Sequence, residues 1–471
     1  MIGPFTKSNM ASCFRNKKDY FYIVVFAIIS LLLLIANPGY FSHDELQKLD
    51  HVKEFGLKNY IDTYVALQQG SSFGVPVRPF SFLVQGILAL FMEEYTVVVH
   101  LIAVLTHAAV GCLLYAACSR FGMNRALSLT IACVFIVNPL GTLATGWSAA
   151  LMDRWYVAFG VAAFICADKY IRENKSAWSL FALFVCSSLS MLSKETAVIL
   201  PALIGLILLM DMSLIREKRF WKAVVVWCLP IALFMLYRLP ALFASFGNPD
   251  VSAYKASLTN IPEGLLVYSA YPFLTSIAEA GNWVFANTVQ MVLAVVMHCL
   301  ICFALLWVRG VKVALIYVCG YFLFLAPVLL IPIRASHYLY GSSIVLSIAI
   351  GYLIFQGSKG FNVPRLVGLV ALLLMLIHTA INQNFVYSLG RCMNVALIST
   401  ESAYASSNKP KKVNFQAEPG ATEHVLHRLY TGRNRIANSY PLELSVSKFG
   451  EVLPDDVLVL KMNSSCIVHY N

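Results

Sequence analysis

The chain has 471 residues, of which 59% are hydrophobic and 13% charged, and its mean hydropathy is +0.71. A soluble domain carries roughly a quarter charged residues, so these proportions exclude a soluble globular protein and define a polytopic membrane protein. The formal net charge of +11 does not point to nucleic acid, because much of the basic excess lies in short loops between apolar runs, where membrane topology accounts for it.

The N-terminal tail, residues 1–20, carries Arg15, Lys17 and Lys18 ahead of an uncharged run from Phe21 to Asn37. No small-residue cleavage site follows this run, and Asn37-Pro38-Gly39 reads as a helix stop, so it is a membrane span and not a signal peptide. Just beyond it stands His43-Asp44-Glu45. Carboxylates at a membrane surface are costly unless water, a cation or a substrate occupies the site. From Asp44 to Tyr64, the apolar residues Leu46, Leu49, Val52, Phe55 and Leu57 recur at near-helical spacing, which predicts an amphipathic surface helix. The plainer reading of the acidic pair is a helix cap, with Asp44 favoured by the dipole.

Arg78-Pro79 opens the stretch 80–92, about thirteen residues long and short for a span. Further apolar stretches lie near 96–118, 127–143, 152–169, 178–192, 196–212, 221–237, 283–307, 312–331, 338–356 and 364–382. The basic loops holding Arg120/Arg125, Lys169/Arg172/Lys175, Arg216/Lys218/Arg219/Lys222, Arg309/Lys312 and Lys359/Arg365 all fall on the cytoplasmic side only if 80–92 does not cross. The expectation is therefore eleven spans with 80–92 lying on the surface or re-entrant, the N-terminus cytoplasmic, and residues 383–471 outside. Residues 21–382 form the transmembrane unit, with a first outer loop at 38–95.

That parity gathers His43-Asp44-Glu45, Arg78-Pro79, Asp153-Arg154, Ser193-Lys194-Glu195 and Arg334-Ala335-Ser336-His337-Tyr338 on one side. Each has a plain reading: Asp153 starts a helix beside a snorkelling Arg154, Lys194-Glu195 is a polar turn, and the last set belongs to an aromatic belt. Their common side argues for one shared site. The outer segment 238–281, with Arg238, Asp250, Tyr254, Lys255 and Glu263, is expected to cover it or guide an acceptor, and Leu265 to Ile277 to lie on the membrane.

Past 383 the chain becomes polar, with a basic patch at Asn408-Lys409-Pro410-Lys411-Lys412. Glu423 to Tyr430 predicts a helix, and Val452 to Met462 and Ile467 to Tyr470 predict strands. In an oxidising compartment Cys392 and Cys466 are the pair to bridge. Most other cysteines lie in apolar runs, where they act as small hydrophobes.

An acidic pair after the first helix, an RP step, an aspartate after the third span, an SKE turn and a late R…YLY segment, in this order, resemble the GT-C glycosyltransferases that use polyprenyl-phosphate-linked sugars. The protein O-mannosyltransferases and the transmembrane O-mannosyltransferases with tetratricopeptide repeats look closest, over about residues 20–382. This chain departs from them in reading Met152-Asp153-Arg154 instead of GRAD, in the His337 that interrupts the arginine–tyrosine run, and in lacking the repeats.

The resemblance implies a GT-C-like bundle in an all-α membrane protein, with Asp44 as the general base for an acceptor hydroxyl. Glu45 or Asp153 would tune its charge or orient the acceptor. Lys194, Arg334 and His337, with Arg78 and Arg154 behind them, would stabilise the departing lipid phosphate, supported by His43, Glu195 and Tyr338. Direct displacement would invert the anomeric centre. The residues single out no cofactor with certainty, and a divalent metal held by Asp44, Glu45 and Asp153 is an option the carboxylates leave open. The partners implied are the polyprenyl-phosphate sugar, membrane lipid, and a surface glycan, lipid or protein acceptor. An O-antigen ligase or polymerase, or a transporter or lipid flippase, are the alternatives; a transporter places its charges near the midplane and shows repeated halves. The bacterial inner membrane, with a periplasmic C-terminus, is the expected location. The endoplasmic reticulum is the alternative, with Asn463-Ser464-Ser465 as a lumenal sequon.

Overall fold

Long apolar stretches become helices here because a bilayer offers no water to satisfy the backbone. The computed structural model describes residues 17–69, 78–173, 176–245, 257–275, 288–355, 362–437 and 439–470. Helix α1 (Lys17–Ser30), extended by a turn at Leu32–Ile35, leads into α2 (His43–Gln69) and α3 (Pro79–Ala89). The bundle continues with α4 (Thr96–Arg120), α5 (Arg125–Ile136), α6 (Pro139–Gly146), α7 (Leu151–Arg172), α8 (Ala177–Ser193) and α9 (Lys218–Ser245). After α10 (Ile261–Ala270) come α11 (Thr288–Arg309), α12 (Val311–Leu323), α13 (Tyr340–Phe355) and α14 (Val363–Ala405). The protein is an all-α polytopic membrane protein. Among the described residues, six helices are long and apolar enough to cross a bilayer, or seven if the bent pair α5–α6 is one span. That pair turns by 51° at Asn138-Pro139, where the Asn138 side chain caps α6 by accepting from the Leu140 N–H and Pro139 occupies the first turn. Expected segments 178–192, 196–212 and 312–331 are helical but contain shorter apolar helices.

Helix α3 covers most of the ambiguous 80–92 stretch with 11 residues, about half the ~20 a span needs. It packs between α2 and α8. Helix α2 buries Leu46, Leu49 and Val52 as its periodicity requires, whereas Phe55 is exposed. It is kinked at Gly56, whose φ of 75° and ψ of 161° are cheap only without a Cβ.

Charge sorts the two ends of the bundle. Where α1 and α5 start and α4 and α7 finish, Arg125 forks onto the buried Asp19, which also accepts from the Tyr115 hydroxyl at 2.6 Å. Nearby, Arg120 bridges Asp168 at 2.8 Å and Glu173 at 2.9 Å. The opposite end carries the Glu45, Asp153 and Lys194 motifs. There the first loop passes hard against α14: Gly39 N–H donates to the Asn37 side chain at 3.1 Å, Asn37 donates to Val386 O, and His100 Nε2 contacts Gly39 O at 2.8 Å. A Cβ on Gly39 would overlap the backbone of Gly390.

Helix α14 does not stop at 382 but runs unbroken for 43 residues to Ala405, so the polar C-terminal unit begins after it. That unit contains β1 (Lys412–Ala417), α15 (Glu423–Tyr430), β2 (Glu443–Ser447), β3 (Val457–Met462) and β4 (Val468–Tyr470), in sheet order β2-β1-β3-β4. Strand β1 is parallel to both neighbours, while β3 and β4 are antiparallel. Helix α15 covers one face, with Tyr430 stacked on Phe415 at 3.6 Å between ring centroids. Residues 452–456, expected to start a strand, precede β3 without joining it. Cys392 and Cys466 are joined by a disulfide.

Gly39→Ala is expected to destabilise the fold by about 1–3 kcal/mol through overpacking against a backbone that cannot retreat. A lower unfolding midpoint of the detergent-solubilised protein checks this, and Gly56→Ala should leave the α14 contact intact.

Candidate active site

The first turn of α2 builds the site. Glu45 is buried, and its carboxylate accepts from the backbone N–H of Phe41 (2.7 Å), Ser42 (3.1 Å) and Ser148 (2.6 Å), and from the Ser148 hydroxyl. The Ser42 contact is one half of a capping box, in which the third residue of the helix reaches back to the cap. Burial pushes the Glu45 carboxyl upward, and the Ser148 hydroxyl and the three N–H groups oppose that rise. Both oxygens are thus committed to holding two loops together. His43 opens α2, and its side chain lies outside the described residues. Asp44 is half-buried on the same turn. One turn further, Lys48 lies within electrostatic reach of Asp44, Glu45 and Arg78. Burial pushes its ammonium down to about 8, against the pull of Asp44 and Glu45.

Ser148 belongs to the turn that starts α7, and that turn brings in Asp153 and Arg154. Asp153 is buried in an ion pair with Lys194, and among the described residues its Oδ2 has no hydrogen-bond partner. Lys194 ends α8 and lies under the ring of Tyr338, 4.6 Å from its centroid. Arg78 caps α3 and pairs through Nε with Glu195 at 2.7 Å, both partly exposed. Its Nη1 also contacts the Met152 sulfur at 2.7 Å. Arg154 turns inward, donates to Ala144 O, and interacts electrostatically with Tyr340 and Glu45.

His337 lies between Trp147, which it meets edge-on at 4.9 Å, and Tyr338, tilted against it at 4.4 Å between centroids. Trp147 in turn meets Phe41 at 5.8 Å. An aromatic wall therefore runs from the first loop to the start of α13, and Lys194 and Arg78 act electrostatically on His337. Arg334 instead pairs with Glu263 of α10 at 2.7 Å and donates to Pro332 O at 3.2 Å. Asp250, Tyr254 and Lys255 lie outside the described residues.

The site thus joins Glu45, Asp153, Lys194, His337 and Tyr338 through direct or shared neighbours, with Asp44 on the Glu45 turn and Arg78–Glu195 at its rim. Sequence reasoning missed Lys48, Phe41 and Ser148. Lys48 had a signal, its position four residues after Asp44; Ser148 had none, since its partner is remote in the chain. Cys299 and Cys302 stand three apart in α11, yet among the described residues no three His, Cys, Asp or Glu side chains converge to hold a metal.

No family model matches the chain, and no curated relative does. Among solved structures, ArnT from Cupriavidus metallidurans bound to undecaprenyl phosphate is similar at 12% identity and a TM-score of 0.48, over 94% of this chain and 93% of that one. The arabinofuranosyltransferase AftD from Mycobacteria is similar at 14% identity and a TM-score of 0.47, over 85% of this chain but 30% of its own.

Removing one partner of a buried ion pair leaves an uncompensated charge, which costs about 3–5 kcal/mol. Lys194→Ala is therefore expected to destabilise far more than the double variant Lys194→Met with Asp153→Leu. Thermal unfolding of the three proteins in one detergent measures the difference.

Proposed function

We propose that this protein is an integral-membrane glycosyltransferase that takes a sugar from a polyprenyl-phosphate carrier and transfers it to an acceptor hydroxyl. The observation that carries the reading is the gathering of a half-buried carboxylate, Asp44, with Lys48, Arg78 and Lys194 at one end of an apolar bundle. A lipid-borne phosphate needs cations at the depth of its headgroup, and a sugar acceptor needs a base beside them.

Asp44 removes the acceptor proton as the oxygen attacks the anomeric carbon, and inversion follows from that single displacement. Lys48 and Arg78, the less buried cations, meet the carrier phosphate. Lys194 acts from behind them and holds Asp153, whose second oxygen orients the acceptor. Glu45 fixes the turn that presents Asp44. Arg334 and His337 close the site from the α13 side, with Arg154 supporting from below and Tyr338 covering Lys194. The reaction faces the periplasm of a bacterial inner membrane, and the acceptor is a surface glycan, lipid or protein. Transport fits less well, because the charged groups cluster at the bundle ends and not at the midplane.

Asp44→Asn is expected to lower turnover about 10²–10⁴-fold, the range for loss of a general base, while binding of a polyprenyl-phosphate hexose persists. Full retained turnover overturns the assignment. Because the Lys48 ammonium is held down to about 8, its charge is present below that pH and lost above it. Donor affinity is therefore expected to fall as pH rises through about 8, and Lys48→Arg, which stays charged, is expected to remove the fall. Isothermal titration across pH reads both.

A further inference from the structure

The C-terminal unit reaches the site through the last turn of α15 and the residues just after it. Arg433 donates from Nε to Asp50 Oδ2 at 2.6 Å and from Nη2 to Oδ1 at 2.9 Å. This fork is nearly sealed, with the two side chains 8% and 7% exposed. Gln47 donates to Thr431 O at 2.7 Å. Arg428 donates to Phe41 O at 3.0 Å and places its guanidinium 4.6 Å over the Phe41 ring. Phe41 is also the residue whose N–H Glu45 accepts. Three contacts from residues 428–433 thus bracket residues 41–50, with Asp44 between them.

The bracket has its own footing on α14. Thr400 bonds the Tyr430 hydroxyl at 2.6 Å, Val468 N–H donates to Ser399 at 2.8 Å, and the Cys392–Cys466 disulfide ties the chain end to the helix. On the other side, the kink at Gly56 separates the first half of α2, residues 43–55, from the rest of the helix. A bidentate arginine–carboxylate fork fixes orientation as well as distance, whereas a buried ion pair adds little net stability. Its position against the first half of α2, before the kink, makes orientation its contribution.

We infer that the segment 428–433 is a positioning clamp, in which Arg433 on Asp50 and Arg428 on Phe41 set the orientation of Asp44 without touching substrate. This rests on the reading of Asp44 as the base. A misplacement of about 1 Å at a reacting group costs on the order of a hundredfold in rate, so the clamp acts on kcat and not on donor binding.

The test uses the full chain in lipid nanodiscs, with turnover of a polyprenyl-phosphate hexose and hydrogen exchange of the α2 amides. Arg433→Ala is expected to lower kcat by about tenfold to a hundredfold with the donor KM held within about twofold. Faster exchange should appear over residues 46–52, with β3 still protected. Asp50→Asn, which leaves the C-terminal sheet untouched, should reproduce both effects, and the charge swap Asp50→Arg with Arg433→Asp should recover part of kcat. Unchanged kcat in both single variants overturns the inference, as does a loss confined to KM. If β3 also loses protection in Arg433→Ala, Asp50→Asn decides alone. Full turnover by Asp44→Asn removes the general-base reading instead, and the exchange of α2 then judges the clamp by itself.

Discussion

One buried carboxylate, that of Glu45, holds the loop before α2 to the turn that starts α7. Three backbone N–H groups and a hydroxyl meet it, and each would be a buried unsatisfied donor without it. A carboxylate in an apolar setting is costly, and these donors are what make it tolerable. The consequence reaches beyond one residue. Asp44 follows the loop and Asp153 follows the turn, so the two acids keep a fixed relation only while this knot is tied.

Around that knot, charge is arranged by depth. Lys194 and Asp153 form a sealed pair beneath Tyr338, Arg78 and Glu195 form a second pair at the rim, and the half-buried Asp44 and Lys48 lie one turn apart at the start of α2. In a low-dielectric surround, a sealed pair resists any change in its own charge but still projects a field onto its neighbours. The rim groups have access to water and are the ones that can exchange partners with an incoming phosphate.

Much of the bundle was legible because a membrane span is a local property: an uncharged run of the right length is helical wherever it packs. The same locality made Glu423–Tyr430 readable as a helix, and 80–92 readable as a short one. Pairings were not legible. Nothing near Lys194 says that it meets Asp153, and nothing near Asp50 points to Arg433. Strands β1 and β2 escaped notice because parallel pairing joins segments far apart in the chain. The continuation of α14 to Ala405 is not legible because the apolar run ends near 382, whereas the helix does not. Asn382 and Gln383 in fact turn into the bundle, where Gln383 donates to Ser30 O at 2.9 Å.

The unbroken α14 gives the molecule a stiff mast. At about 1.5 Å per residue, its 43 residues extend roughly 65 Å, more than twice the ~30 Å hydrocarbon core of a bilayer. A helix anchored in lipid answers a change in bilayer thickness by tilting. A tilt of about 10° about one end would swing the other end of such a helix sideways by roughly 11 Å. The sheet bolted to that mast also grips α2 through Arg433. Any tilt of α14 would therefore be carried to α2 through that grip, from the far end of the chain.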